Sequence, residues 1–204
     1  MNAPCPPAPP GPTRLVLASP SPYRRELLGR LGLPFDVVAP DVDEALLSGE
    51  TPAQAASRLA IAKAEAVAAL HPDALVVGSD QTATLDGTGV IGKPGTHARA
   101  VAQLRAASGR TMTFHTGVAL VGQQRGVHGV ARVDTRVRFR VLSDAAIEAY
   151  LAREPAYDCA GSAKVEGLGI ALIAALDGPD PTALVGLPLI ALCSMLADAG
   201  VPVP

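Results

Sequence analysis

The residues with the clearest chemical potential stand together in Ser19-Pro20-Ser21-Pro22-Tyr23-Arg24-Arg25. An apolar run precedes them and a helical pattern follows, which places them at a strand-to-helix turn. Orphan N–H groups and the positive dipole end at such a turn favour an anion. Two arginines on the first helical turn add forked donors shaped for phosphate oxygens. Ser19, Ser21, Arg24 and Arg25 are therefore candidate phosphate ligands, although the two arginines would equally suit an exposed helix face. Acidic groups recur in Asp41-Val42-Asp43-Glu44 and in Ser79-Asp80. Magnesium needs only one or two carboxylates when phosphate oxygens and water complete its octahedron. Glu44 and Asp80 could supply them, whereas Asp41 and Asp43 read as solvated loop carboxylates. Lysine occurs only at Lys63, Lys93 and Lys164 among seventeen basic residues. Each is a compact point charge in a chain that otherwise uses arginine, and a point charge can meet phosphate where a planar fork does not fit.

Other motifs fail on chemistry. Gly87-Thr88-Gly89-Val90-Ile91-Gly92-Lys93 has P-loop spacing, but Pro94 stands where a magnesium-binding hydroxyl is required. Gly167-Leu168-Gly169 lacks the third glycine of a dinucleotide fingerprint. His71, His97, His115 and His128 show no metal-ligand spacing, and no serine sits in a nucleophile elbow.

The elements that must position these groups follow from caps and periodicity. Strands are expected at 14–18 and 35–39. A helix opens at the Ser21 cap with Pro22 in its first turn and stops before Gly32. Thr51-Pro52 opens an Ala-rich helix with apolar positions at Leu59, Ala62, Ala66 and Leu70, halted by Pro72. Ala74 to Val77 reads as a buried strand ending in the polar Gly78-Ser79-Asp80-Gln81, a usual site position in open α/β sheets. Thr96 caps a helix to about Ser108, two long strands near 111–121 and 126–141 form a hairpin, and helices follow at 143–152 and 188–199.

The chain has 204 residues, 49% hydrophobic and 18% charged, with a net charge of -2. This suits one large α/β domain or two lobes sharing one sheet over 14–204, behind a disordered Pro-rich tail over 1–13 that has no signal-peptide pattern. Near-neutral charge and 3% aromatics argue against a nucleic-acid partner. The longest apolar runs are shorter than the roughly 18–20 residues that span a bilayer, so no membrane association is expected. Three unpaired-looking cysteines suit a reducing cytoplasm.

Taken in order, Leu17-Ala18-Ser19-Pro20-Ser21-Pro22-Tyr23-Arg24-Arg25-Glu26-Leu27-Leu28, Pro40-Asp41-Val42-Asp43-Glu44, Ala62-Lys63-Ala64, Gly78-Ser79-Asp80-Gln81 and Gly92-Lys93-Pro94 form a specific series. With Phe114-His115-Thr116-Gly117, Cys159-Ala160-Gly161-Ser162, Glu166-Gly167 and Val185-Gly186-Leu187-Pro188-Leu189 it resembles the Maf family of nucleoside triphosphate pyrophosphatases over 15–200. The resemblance implies a two-lobed, curved mixed sheet flanked by helices around a central cleft, similar to inosine triphosphate pyrophosphatases. It also implies a cytoplasmic homodimer that depends on a divalent cation, Mg2+ or Mn2+. The implied reaction is water attack on the α-phosphorus, releasing diphosphate. Asp80 is then the proton acceptor, with Ser21, Arg24, Arg25, Glu44, Lys63 and Lys93 lining the phosphate and metal cleft. Tyr23, Gln81 and Glu166 look like the branch acting on 7-methyl-GTP; the dTTP/UTP branch tends to have Arg, Thr and Gln there. In this reading Gln81 adapts as donor and acceptor. A pyrimidine or other modified nucleotide as substrate, or a nucleotide-sensing division regulator without turnover, are the alternatives.

Overall fold

The computed structural model describes residues 13–203. The expected tail lies outside them except for Thr13. Six strands form one open mixed sheet in the order β2-β1-β3-β4-β5-β6. They are β1 (Leu15–Ala18), β2 (Phe35–Val37), β3 (Leu75–Thr84), β4 (Thr111–Gly122), β5 (Val127–Phe139) and β6 (Ile173–Asp177). The helices are α1 (Pro22–Gly29), α2 (Pro52–Ala68), α3 (His97–Ala107), α4 (Asp144–Arg153) and α5 (Leu189–Asp198). β1 runs parallel to β2 and β3, and β3, β4, β5 and β6 pair antiparallel in turn.

Cap chemistry sets the helix starts. Ser21, Thr51, Thr96 and Ser143 each accept the N–H three residues on, and Thr51 with Gln54 forms a full capping box. Side chains alternate across a strand, so β3 serves two layers. On one face α2 lies against Val16, Val76, Ala119 and Val121. On the other, one core gathers Leu17, Leu27, Val77, Leu120 and Leu192 under α1 and α5, and a second gathers Ala83, Leu104, Met112, Phe114 and Ile147 under α3 and α4. Between these two cores sit the polar Ser79, Gln81 and Thr116, which mark the seam between two lobes.

Three expectations need correction. The strand expected at 74–77 continues to Thr84, so Asp80 and Gln81 lie inside it rather than beyond its end. Burial of Asp80 by an ion pair from α2 lets the strand pass through polar residues. The face of α2 turned to the sheet is Ala56, Ala60, Lys63, Ala64 and Val67; Ala62 and Ala66 are only half-buried and Leu70 is 72% exposed. Finally, β6 was not foreseen, because four of its five residues are exposed on a sheet edge and show no alternation.

Glycine chooses the α2 face. A Cβ on Gly78 would overlap the Ala60 carbonyl oxygen and lie 2.7 Å from the Ala64 nitrogen, and one on Gly117 would overlap the Ala56 carbonyl. The helix therefore rests directly on strand backbone, which brings Lys63 down to Asp80. Gly78→Ala should cost about 2–3 kcal/mol, the upper range for overpacking, because the atoms met are helix backbone. A urea midpoint close to that of the unmodified protein would contradict this packing.

Candidate active site

β1 ends at Ala18 opposite Gly78, and beyond it that edge of β3 has no strand partner until Ala83 meets Ile91, while its other edge stays paired with β4. That leaves the β1-side edge from Ser79 to Thr82 without a strand partner. Asp80 points to the α2 face and Gln81 to the other, so this notch is where the two layers of the site can meet.

Ser19 is buried just past β1, and its hydroxyl accepts from Ser21 N–H at 3.2 Å and from an Arg24 guanidinium nitrogen at 3.3 Å. Arg24 Nε donates to the Gly186 carbonyl at 2.9 Å. Burial lowers the Arg24 pKa, and the Asp80 and Glu44 carboxylates push it back up. On the opposite side, Lys63 Nζ sits 2.6 Å from Asp80 Oδ1 and 2.6 Å from Glu44 Oε1. Lys63 and Asp80 are 5% and 8% exposed, whereas the Glu44 side chain is largely open. Ser19, Ser21, Arg24, Lys63, Glu44 and Asp80 thus come together. Arg25 and Lys93 are exposed and make no side-chain hydrogen bond or ion pair among the described residues.

The second oxygens of Asp80 and Glu44, Oδ2 and Oε2, accept nothing within the described residues. Two carboxylates that share the Lys63 ammonium and each keep a free oxygen have the donor chemistry for a divalent cation that takes its remaining ligands from phosphate and water. No group of three or more His, Cys, Asp or Glu forms a metal cage among the described residues. Asp43 accepts Ala45 N–H in a local turn instead.

The loop bearing Glu44 is anchored by residues that sequence reading missed. Arg58 on α2 grips Glu50 with two bonds of 2.6 and 2.8 Å and donates to the Ala45 carbonyl at 3.0 Å. The Arg58 bonds, aided by Leu47 N–H and opposed by desolvation, bring the Glu50 carboxyl down to about 2. A depressed carboxylate adds stability above its unfolded pKa and loses it as pH falls through the folded one. The urea-midpoint advantage over Glu50→Gln should therefore hold from neutral pH to about 4.5 and shrink as pH falls toward 2. An advantage that persists undiminished at pH 2.5 would contradict the clamp.

On the other face the turn at 183–186 plugs the seam. Ser79 Oγ lies 2.7 Å from the Gly117 carbonyl and 2.9 Å from the Gly186 carbonyl, which share its single O–H, and Thr116 Oγ1 donates to the Ala183 carbonyl at 2.9 Å. Beside it a cavity of about 50 Å³ is lined by Tyr23, Gln81, Phe114, Cys159, Glu166 and Leu184, among others.

The model of the family described as Maf-like protein matches residues 14–199. The chain belongs to the Maf family. Similar curated proteins include one from Cupriavidus metallidurans, 58% identical over 92% of this chain and 94% of its own length. Others are from Albidiferax ferrireducens, 59% identical over 93% and 95%, and Burkholderia pseudomallei, 60% identical over 94% and 90%. All three are named 7-methyl-GTP pyrophosphatase. Among solved structures, a Ham1 protein of Staphylococcus aureus aligns with a TM-score of 0.46 at 18% identity, over 62% of this chain and 72% of its own.

In this Maf chain the three expected specificity residues, Tyr23, Gln81 and Glu166, share the one cavity. The Gln81 expectation needs correction. Its amide nitrogen is 2.9 Å from Thr116 Oγ1 and 3.0 Å from both the Ala183 and Leu184 carbonyls, which consumes its donors. Only its carbonyl oxygen is left for a ligand, so Gln81 is an acceptor here. Burial pushes the neighbouring Cys159 thiol up to about 12, which makes it an inert wall. Thr116 and Gly186 hold the Maf site from strand and backbone, and only membership of a family motif could have drawn attention to them.

Proposed function

We propose that this protein hydrolyses 7-methyl-GTP to 7-methyl-GMP and diphosphate. The observation that carries the chemistry is the buried Lys63 ammonium between Asp80 and Glu44, facing Arg24 across the β3 notch. The relatives' shared name and the cavity of Tyr23, Gln81 and Glu166 support the base.

Phosphoryl chemistry asks the protein mainly to position groups and to balance charge. The triphosphate enters the notch between Arg24, at the N-terminus of α1, and Lys63. The free cations of Arg25 and Lys93 reach oxygens farther along it, and the Ser19 and Ser21 hydroxyls fix the α1 turn. Asp80 Oδ2, free of protein partners, accepts the proton as water bonds to the α-phosphorus. The bond to the bridging oxygen then breaks, and diphosphate leaves with the electron pair. Glu44 and Asp80 would hold a divalent cation, which when bound would supply charge neutralisation for the phosphate oxygens. On the opposite face of β3, the Glu166 carboxylate accepts from the N1 and N2 edge of guanine. Tyr23 offers a ring face to the charge that N7 methylation places on the base. We further propose a cytoplasmic homodimer, as the family resemblance implies.

A nucleotide panel in which diphosphate and orthophosphate are measured separately tests this. Expected is diphosphate in one step, highest kcat/KM for 7-methyl-GTP, loss of turnover in excess chelator and recovery with Mg2+ or Mn2+. Orthophosphate with a nucleoside diphosphate, or preference for dTTP or UTP, would overturn the chemistry or the base respectively.

A further inference from the structure

The Tyr23 ring already holds a cation. Its hydroxyl donates to Asp158 Oδ2 at 3.0 Å, and Asp158 Oδ1 is 2.9 Å from Lys164 Nζ. That ammonium lies 5.6 Å from the Tyr23 ring centroid. Lys164 stands between the cavity-lining Ala163 and Val165 without lining the cavity itself. The three side chains also tie α1 to the chain that follows α4, across the seam between lobes. Burial works against both charges, yet hydrogen bonds from Lys164 and Tyr23 hold the Asp158 carboxyl low, and bonds to Tyr23 and Asp158 hold the Lys164 ammonium high.

We propose that the Lys164–Asp158 pair tunes selection between cationic and neutral purines by setting the charge behind Tyr23. A resident ammonium draws on the π density that a cationic base would use, and it repels that base through space. Asp158 offsets this charge and fixes the hydroxyl, so the ring stays in place as a wall that is nearly neutral overall. Lys164 and Asp158 are positioning residues, acting through Tyr23, and neither touches the reacting phosphate. This rests on the reading of the cavity as the base site.

The test is the ratio of kcat/KM for 7-methyl-GTP to that for GTP, measured by diphosphate release. Lys164→Met keeps length and apolar stem but removes the charge, leaving Asp158 on the hydroxyl; the ratio should rise about threefold. Asp158→Asn keeps an oxygen for the hydroxyl but leaves the ammonium unbalanced; the ratio should fall about threefold. Lys164→Arg keeps the positive charge, though a planar fork would seat differently against Tyr23 and Asp158, and should move the ratio less than either neutralising variant. A loss of local structure alone would move both neutralising variants the same way. Unless they move the ratio in opposite directions, the proposal is wrong. A ratio at or below one in the unmodified protein would instead defeat 7-methyl-GTP as substrate, a separate failure, because the shifts between variants are defined at any starting value.

Discussion

Asp80→Asn should lower kcat by about 10²–10⁴-fold, the usual contribution of a positioned general base. The amide is nearly isosteric, and its oxygen can still accept from Lys63 Nζ, which is 2.6 Å from Asp80 Oδ1. It cannot take a proton from water, and it is a poor ligand for a hard cation. The register Asp80↔Gly117 and the packing of α2 are untouched by the change, and Lys63 keeps the Glu44 carboxylate at 2.6 Å, so the urea midpoint should fall by less than in a variant that strands Asp80. Turnover above about a tenth of the original, on the scale of that contribution, would remove Asp80 from its assigned role.

Lys63→Met should harm both activity and stability. The ammonium is the shared partner of two carboxylates, and methionine fills its volume without charge. Turnover should fall by about 10²–10³-fold, the usual effect of losing one preorganised charge-stabilising donor. Asp80, which is 8% exposed, would lose its hydrogen-bonded counter-ion. Breaking a buried pair from one side costs about 3 kcal/mol or more. The double variant Lys63→Met/Asp80→Asn should recover much of that loss while remaining inactive. If the double variant is no more stable than Lys63→Met, the destabilisation comes from packing rather than from the stranded carboxylate.

What could be read from the sequence was mostly local. Ser21, Thr51, Thr96 and Ser143 act within three residues of themselves, and all four open helices as their types suggest. The long hairpin of β4 and β5 was equally visible, although its turn extends through Gly126, which takes positive φ. Legibility failed where distant chain decides. Alanine at eight of its seventeen positions leaves α2 little periodic contrast, and the choice of face falls to Gly78 and Gly117 on the strands. Polar Ser79, Asp80 and Gln81 looked like a strand end, because nothing nearby showed that Lys63, Gly186 and Thr116 would satisfy them. Arg24 and Arg25, adjacent and alike, differ because only Arg24 faces the Gly186 turn. The Arg58–Glu50 clamp has no helical spacing to betray it.

The Gly186 carbonyl, which joins Arg24 and Ser79, has a consequence for the order in which the site is assembled. Lys63 and Asp80 are 17 positions apart and share adjoining elements, so this half can form as soon as α2 and β3 have met. Arg24 must wait for an acceptor 162 positions later. During synthesis the Asp80 carboxylate and its lysine can be in place while the arginine has no anchor. Because domains take shape from the N-terminus as they emerge, a chain halted before the last turn of backbone would carry a folded half-site with an unseated guanidinium, and nucleotide binding would switch on only near completion.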